Sequence, residues 1–191
     1  MPIFDHFNLI APFYDRAIPR NEVDSLLRHL SLPAPGALLD AGGGTGRVSA
    51  ALRAHIDRIV VIDLAYGMLR QAALKNGLLL SQSHTEALPF PDASFERVLM
   101  VDALHHVCDH ADTAAELWRV LKPGGRIVIE EPDLRHFGVK LIAVAEKLLL
   151  MRSHFLAPPE IAALFPFPQA RTEVVLDGDG FNAWVVVEKS V

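Results

Sequence analysis

The sequence predicts a doubly wound α/β domain, with a mostly parallel seven-stranded sheet closed at one edge by an antiparallel C-terminal hairpin. Three observations carry this expectation. Short apolar runs, several of them apolar on both faces, alternate with segments at helical period, as expected for strands buried on both sides by crossover helices. The turn after the first run is emptied of side chains, reading "DAGGGTG" from Asp40 to Gly46. Near the end, "DGDG" (Asp177–Gly180) separates two β-branched runs by too few residues for a crossover, so at least one strand runs antiparallel.

Taken in order, Glu22–Leu30 reads as a helix behind an aromatic N-terminal arm, and "ALLDA" (Ala37–Ala41) as the first strand. "GRVSAALRAHI" follows as a helix with Val48, Ala51, Leu52 and Ile56 on one face. "RIVVID" (Arg58–Asp63) is the second strand, and "AYGMLRQAALK" a helix with Ala65, Met68, Leu69, Ala72 and Ala73 at helical spacing. "LLLSQ" (Leu78–Gln82) and "SFERVLMVDA" (Ser94–Ala103) are the third and fourth strands. A helix from Ala111 to Leu121 stops at "KPGG" (Lys122–Gly125), a stop and turn signal, before the fifth strand, "RIVIEEP". Helices over 137–151 and 159–164 lead to the two hairpin strands, "TEVVL" and "FNAWVVVEK".

A chain of 191 residues with 51% hydrophobic residues supports one compact domain with a substantial core. Within it, 1–32 is expected to form a helical arm or lid and 33–191 the ligand-binding domain. The net charge of −5 argues against a nucleic-acid partner, which needs a basic face. Cys108 is the single cysteine, so no internal disulfide or multi-thiolate metal site can form, which suits a reducing cytoplasm. The N-terminal stretch lacks the apolar run of a secretory signal, and no run approaches a membrane span, so no stable membrane insertion is expected.

Glycines at a strand-to-helix turn let a ligand lie against the backbone, with helix N–H groups aimed at it. The second strand ends in Asp63, 19 residues beyond Gly44, the offset at which a carboxylate meets ribose hydroxyls in nucleotide-binding folds. A dinucleotide site wants glycine at the first, third and sixth positions, but Arg47 stands where the third glycine belongs. Asp40, just before the glycines, would repel a pyrophosphate and welcome an ammonium or sulfonium. A ribose-bearing ligand with a cationic end is S-adenosylmethionine. An NAD(P)-binding oxidoreductase and a cofactor-binding protein without catalysis stand as alternatives.

"LLDAGGGTGRVSAAL", "VVIDLAYGML", "TEALPFPDASFERVLMVDALHHV" and "LWRVLKPGGRIVIEEPD" resemble, in order, the motifs of class I S-adenosylmethionine-dependent methyltransferases. The similarity is greatest to the branch of quinone-biosynthesis C-methyltransferases and their small-molecule relatives, and covers about Phe4 to Pro132 well. The resemblance implies a Rossmann-like methyltransferase fold. It implies S-adenosyl-L-methionine as cofactor, S-adenosyl-L-homocysteine as product, and a small, partly apolar acceptor methylated at carbon or oxygen. By matching position, Asp40 faces the methionine amino group, Gly42 and Gly44 admit the ligand to the backbone, and Asp63 binds the ribose hydroxyls. Leu64 and Met68 flank the adenine, and the backbone around Thr85 and Glu86 reads its edge. His84 stands where relatives carry an aspartate. Tyr14 folds over the cofactor, Asp102 lies near it, and His105 and His106 face the acceptor.

Plainer roles compete with these. The glycines could serve a bare tight turn, Asp40 could cap the following helix, and Tyr14 and Phe13 could simply pack the arm. His106 and His110, four apart with Asp102 and Asp109 nearby, could suggest a metal, but the family mostly works without one, so none is expected. The helix over 137–151 carries a short polar face of mixed charge and is expected to wall the acceptor pocket rather than lie on a membrane. If the acceptor must lose a proton, His106 is the first candidate base, His105 the second and Asp102 the third.

Overall fold

A computed structural model describes residues 8, 11–12, 14–15, 23–140, 153–178 and 180–191. Helix α1 (Val23–Leu30) precedes β1 (Ala34–Ala41), α2 (Arg47–Leu52), β2 (Ile56–Asp63), α3 (Tyr66–Ala72), β3 (Leu78–Gln82) and β4 (Phe95–Val101). Then come α4 (His110–Val120), β5 (Leu121–Pro132), α5 (Pro158–Ala163), β6 (Ala170–Leu176) and β7 (Asn182–Lys189). The seven strands form one sheet in the order β3-β2-β1-β4-β5-β7-β6. β1 to β5 pair in parallel, while β7 lies antiparallel between β5 and β6.

Both faces of the sheet are covered. Leu39, Ile62, Met100, Ile129 and Val185 point to one side and pack with Leu117 and Trp118 of α4 and Ile161 of α5. Leu38, Ile59, Val61, Leu99 and Val128 point to the other, against Leu26 and Leu30 of α1, Leu52 of α2 and Leu69 of α3. Adjacent residues of one strand thus enter opposite cores, which is why these strands read as continuous apolar runs. β1 lies between β2 and β4, so the chain winds away from it in both directions. The carboxyl ends of β1, β2 and β4 therefore meet at the switch point of the strand order, where ligands bind in a crevice in open α/β sheets.

Two local expectations are corrected. Ile56 does not extend the helix after the glycines; it opens β2 opposite Ala34, and α2 ends at Leu52 through a 3-10 turn, Arg53–His55. The "KPGG" stretch does not separate α4 from the fifth strand. Leu121 already pairs with Phe95, the next pair is Arg126 with Arg97, and residues 122–125 bulge out of β5 between them. The helix over 137–151 begins at 137, and its remainder lies outside the described residues, as does Phe13.

Candidate functional site

Asp40 and Asp63 end adjacent strands beside the glycine turn, and the backbone fixes both. Asp40 is 1% exposed, and its Oδ2 accepts a 2.6 Å hydrogen bond from the Ser49 hydroxyl of α2. It does not cap that helix: the N-cap is Gly46, with no side-chain bond. Burial pushes the Asp40 carboxyl up to about 6, against the Ser49 bond, and the charge of Asp63 adds to the rise. The Asp63 Oδ2 accepts from the Gly44 N–H at 2.9 Å and its Oδ1 from the Ala65 N–H at 2.7 Å. A carboxylate oxygen carries two lone pairs, so one that accepts a backbone N–H can also accept from a hydroxyl.

The glycines answer two different needs. A side chain at Gly43 would stand 2.5 Å from Asp40 Cγ and 2.8 Å from Val61 Cγ1, so the turn can lie against the strand ends only with glycine there. At Gly44, with φ +56°, a Cβ would meet nothing nearer than Asp63 Oδ2 at 3.9 Å. It would project into the space between the backbone and that carboxylate. Gly43 thus serves close packing of the turn, and Gly44 keeps an open cradle beside the Asp63 carboxylate.

The described residues of the arm close over this space. Ala11 and Tyr14 pack on Ala65 and Met68, Asn8 Oδ1 accepts from the Gly67 N–H, and Asp15 accepts from the Thr45 hydroxyl. Asp15 also pairs with Lys75 at 2.8 Å, and the Lys75 ammonium donates to the Thr45 carbonyl. Burial pushes the Asp15 carboxyl up, but the bonds from Lys75 and Thr45 outweigh it and hold the group below the usual range. Burial, then the charge of Asp102, pushes the Tyr14 phenol up to about 12, with Asp63 and Asp15 adding to the rise and Arg47 opposing it. Tyr14 therefore remains a protonated donor among carboxylates.

Of the expected adenine contacts, Leu64 is 52% exposed, while Met68 is buried beneath Ala11 and Tyr14. His84 is exposed and lies 3.7 Å from Glu86. The Thr85 hydroxyl bonds Thr113 at 3.1 Å. Glu86 Oε1 accepts from the Cys108 N–H at 2.7 Å and the Asp109 N–H at 3.3 Å. Burial raises the Glu86 carboxyl, but the surrounding amide donors prevail and hold it below its ordinary value. The Thr85 and Glu86 side chains thus tie their loop to the segment after β4, leaving the backbone as the element available to a ligand.

The loop after β4 holds Asp102, His105 and His106. Asp102 takes a left-handed φ of +50°, a conformation that costs a non-glycine residue on the order of 1 kcal/mol, and its N–H donates to the Glu130 carbonyl at 3.0 Å. His105 is 5% exposed and stacks on Phe155, with ring centroids 4.3 Å apart and planes 11° from parallel. His106 lies beside it and approaches the Ser153 hydroxyl at 3.3 Å. Burial pushes the His106 imidazole down to about 3, and the charge of His105 adds to the fall, so this ring is neutral at physiological pH. His106 belongs to a 3-10 turn and His110 opens α4, so the two do not share a helical face. Among the described residues no His, Cys, Asp and Glu group has the geometry of a metal site.

Glu131, at the end of β5, belongs to the site without any mark in the sequence. Its Oε1 accepts from the N–H groups of Ala103 and Leu104 at 2.9 and 2.6 Å, and its Oε2 lies 2.5 Å from His105 Nδ1. Asn8, Asp15 and Lys75 likewise escape a reading of the sequence. Each of these contacts joins residues far apart in the chain, so no local spacing signals it.

Residues 39–129 match a family model described as a methyltransferase domain. The chain is 32% identical over 200 residues to a demethylmenaquinone methyltransferase of Thermus thermophilus, covering 95% of this chain and 89% of that protein. It is 33% identical over 144 residues to a ubiquinone/menaquinone biosynthesis C-methyltransferase of Syntrophotalea carbinolica, covering 68% of this chain and 60% of that one. Among solved structures, an S-adenosylmethionine-dependent methyltransferase of Thermotoga maritima superposes with a TM-score of 0.78 at 23% identity, over 96% of this chain and 98% of that one. The cofactor suits the crevice: a cradle at Gly44 that a Cβ would fill, a carboxylate at each adjoining strand end for hydroxyl and cationic groups, and Tyr14 packed across it. The sequence match, the sheet order and this crevice agree that the chain belongs to the class I S-adenosylmethionine-dependent methyltransferases, in the quinone-biosynthesis branch.

Proposed function

We propose that this methyltransferase acts on a small, partly apolar aromatic acceptor, a quinone-like or phenolic ring, at carbon or oxygen. The observation that carries the reading is the cluster of rings at the exit of β4, where Phe155 stacks flat on the His105 ring and His106 lies tilted at 49° on it. The names of the Thermus and Syntrophotalea relatives, both quinone-biosynthesis methyltransferases, support the same acceptor class. A reducing compartment suits a chain whose single cysteine is the exposed Cys108.

In this reading Asp63 holds the ribose hydroxyls, Asp40 faces the ammonium, and the backbone at Gly42 and Gly44 lies against the ligand. Leu64 and Met68 border the adenine, with the backbone at Thr85 and Glu86 along its edge and Asp102 at the reacting end. Tyr14 covers the crevice and excludes water. When bound, S-adenosylmethionine supplies an activated methyl group and a neutral thioether leaving group. The chain's own task is then alignment, and holding two reactants in line can remove on the order of 7–11 kcal/mol of a barrier. Where the acceptor must shed a proton, a positioned base adds typically about 10²–10⁴-fold. His105, His106 and Asp102 are the candidates, and His106, pushed down to about 3, is too weak a base to lead them.

Incubating the protein with methyl-labelled S-adenosylmethionine and a small-molecule extract tests the reading. Label in an aromatic, weakly polar product supports it. Label in protein, nucleic acid or a strongly anionic metabolite contradicts it, and cofactor binding with no transfer would reassign the chain as a binding protein.

A further inference from the structure

We infer that two copies of this chain associate through β6, whose outer edge pairs antiparallel with the same strand of a second copy across a two-fold axis at Thr172.

Among the described residues β6 pairs with β7 alone, so it ends the sheet. Bonds at its two ends fix which backbone groups turn outward. The Asp177 N–H donates to the Asn182 carbonyl at 3.0 Å, and the Ser190 N–H to the Gln169 carbonyl at 2.9 Å. Both are directly opposed pairs in the β6–β7 register. Alternation therefore turns the backbone groups of 171, 173 and 175 toward β7, and those of Thr172, Val174 and Leu176 outward. Chains that remain single blunt such an edge with a proline, a lysine, a bulge or a very short strand. β6 runs seven residues as "ARTEVVL", without proline or lysine, and it pairs with β7 without a register shift. Arg171, Thr172, Glu173, Val174 and Leu176 are all exposed.

A second copy is the occupant because the strand is complementary to itself. Outward backbone groups must meet outward backbone groups. For most of the strand to take part, a two-fold axis perpendicular to the sheet then passes through Thr172, Glu173 or Val174. At Glu173 the two carboxylates oppose each other, and like charges directly opposite destabilise a sheet. At Val174 the carboxylate of Glu173 meets the apolar Val175, and Arg171 meets Asp177, which already accepts from the Trp184 indole at 2.7 Å. At Thr172, Arg171 of each copy stands opposite Glu173 of the other. Both pairs fall at non-hydrogen-bonded positions, where opposing side chains lie closest. Within its own chain Arg171 faces Glu188 across the ladder, but that carboxylate is engaged by Arg126. The same register sets Ala170 of one copy against the exposed Val174 of the other, and the two Thr172 residues exchange both main-chain bonds.

Sedimentation velocity of the full chain at about 100 μM tests this, and wild type is expected to sediment as a dimer. Arg171→Glu sets like charges opposite each other twice and should weaken the dimer at least about tenfold. Combining it with Glu173→Arg restores opposite charges and should return the dissociation constant to within about threefold of wild type. Thr172→Pro deletes an N–H that faces away from β7, so the sheet of each copy survives while both central bonds of the dimer are lost. It should sediment as a monomer with an unchanged circular dichroism spectrum. Three strands separate β6 from β1, so every variant should bind S-adenosylhomocysteine as wild type does. A monomeric wild type overturns the proposal, whether or not a different protein covers the edge. A dimer that persists in Thr172→Pro or keeps its affinity in Arg171→Glu associates through another face and overturns it too, as does a folded charge-exchange variant that stays monomeric. Thr172→Pro decides the face even if the charge exchange does not fold.

Discussion

Replacing Asp40 with Asn removes a charge that the fold buries at a cost. The carboxyl is 1% exposed and has risen from the ordinary 3.8 to about 6, chiefly through burial. Between these two values the native state binds more protons than the unfolded chain, so the group's contribution falls as pH rises and the penalty is complete above about pH 6. At about 1.4 kcal/mol for each tenfold change in proton affinity, the penalty is about 3 kcal/mol. Asn is nearly isosteric and can still accept from Ser49, so it escapes this penalty, while its NH₂ group adds an offset that does not vary with pH. Urea unfolding can be followed through the buried indoles of Trp118 and Trp184. The stability of Asp40→Asn relative to wild type should climb by about 2.4 kcal/mol from pH 4 to pH 7, whatever the offset. The same substitution should weaken S-adenosylmethionine binding, because the counter-charge for the ammonium is gone. A stability difference flat across pH would refute the reasoning about burial, and unchanged affinity would refute the role given to Asp40.

His106 acts in the opposite sense. Its imidazole falls from 6.5 to about 3, so the unfolded chain takes up the proton first, and stability is lost as pH drops below about 6.5, by up to about 5 kcal/mol. His106→Gln should therefore unfold at distinctly lower pH than wild type in an acid titration followed by circular dichroism; an unchanged midpoint would show that the ring is not held neutral. The Lys75–Asp15 pair is partly exposed and worth at most about 1 kcal/mol. Lys75→Ala should speed S-adenosylhomocysteine release about two- to fivefold in stopped flow, and high salt should do the same to wild type. Identical release rates would mean that the arm does not gate the crevice.

What was legible in the sequence is what repeats locally. The strands showed as apolar runs because neighbours such as Leu38 and Leu39 of β1, or Val61 and Ile62 of β2, enter opposite cores, and Asp63 stood out because strand, glycine turn and offset lie within one βαβ unit. Ile56 misled because helical period continued into it, while pairing with Ala34 assigns it to β2. "KPGG" misled because a Pro-Gly-Gly run does turn the chain, but as a bulge inside a strand already begun at Leu121. Glu131 was invisible for another reason. Two glutamates at a strand end look alike in sequence, and only the pairing of β4 with β5 sets Glu131 against His105, 26 residues earlier. The contacts of Asn8 and Asp15 span 59 and 30 residues and have no local signature.

Titration calorimetry of S-adenosylmethionine into the wild-type chain and into Asp63→Asn bears most directly on all of this. A carboxylate that grips the sugar hydroxyls, each charged bond worth about 1.5–3 kcal/mol, predicts a single saturable site in wild type and at least about tenfold weaker binding in the variant, with the fold unchanged by circular dichroism. No binding heat from wild type, or equal affinity in a folded Asp63→Asn protein, would contradict the assignment of the crevice.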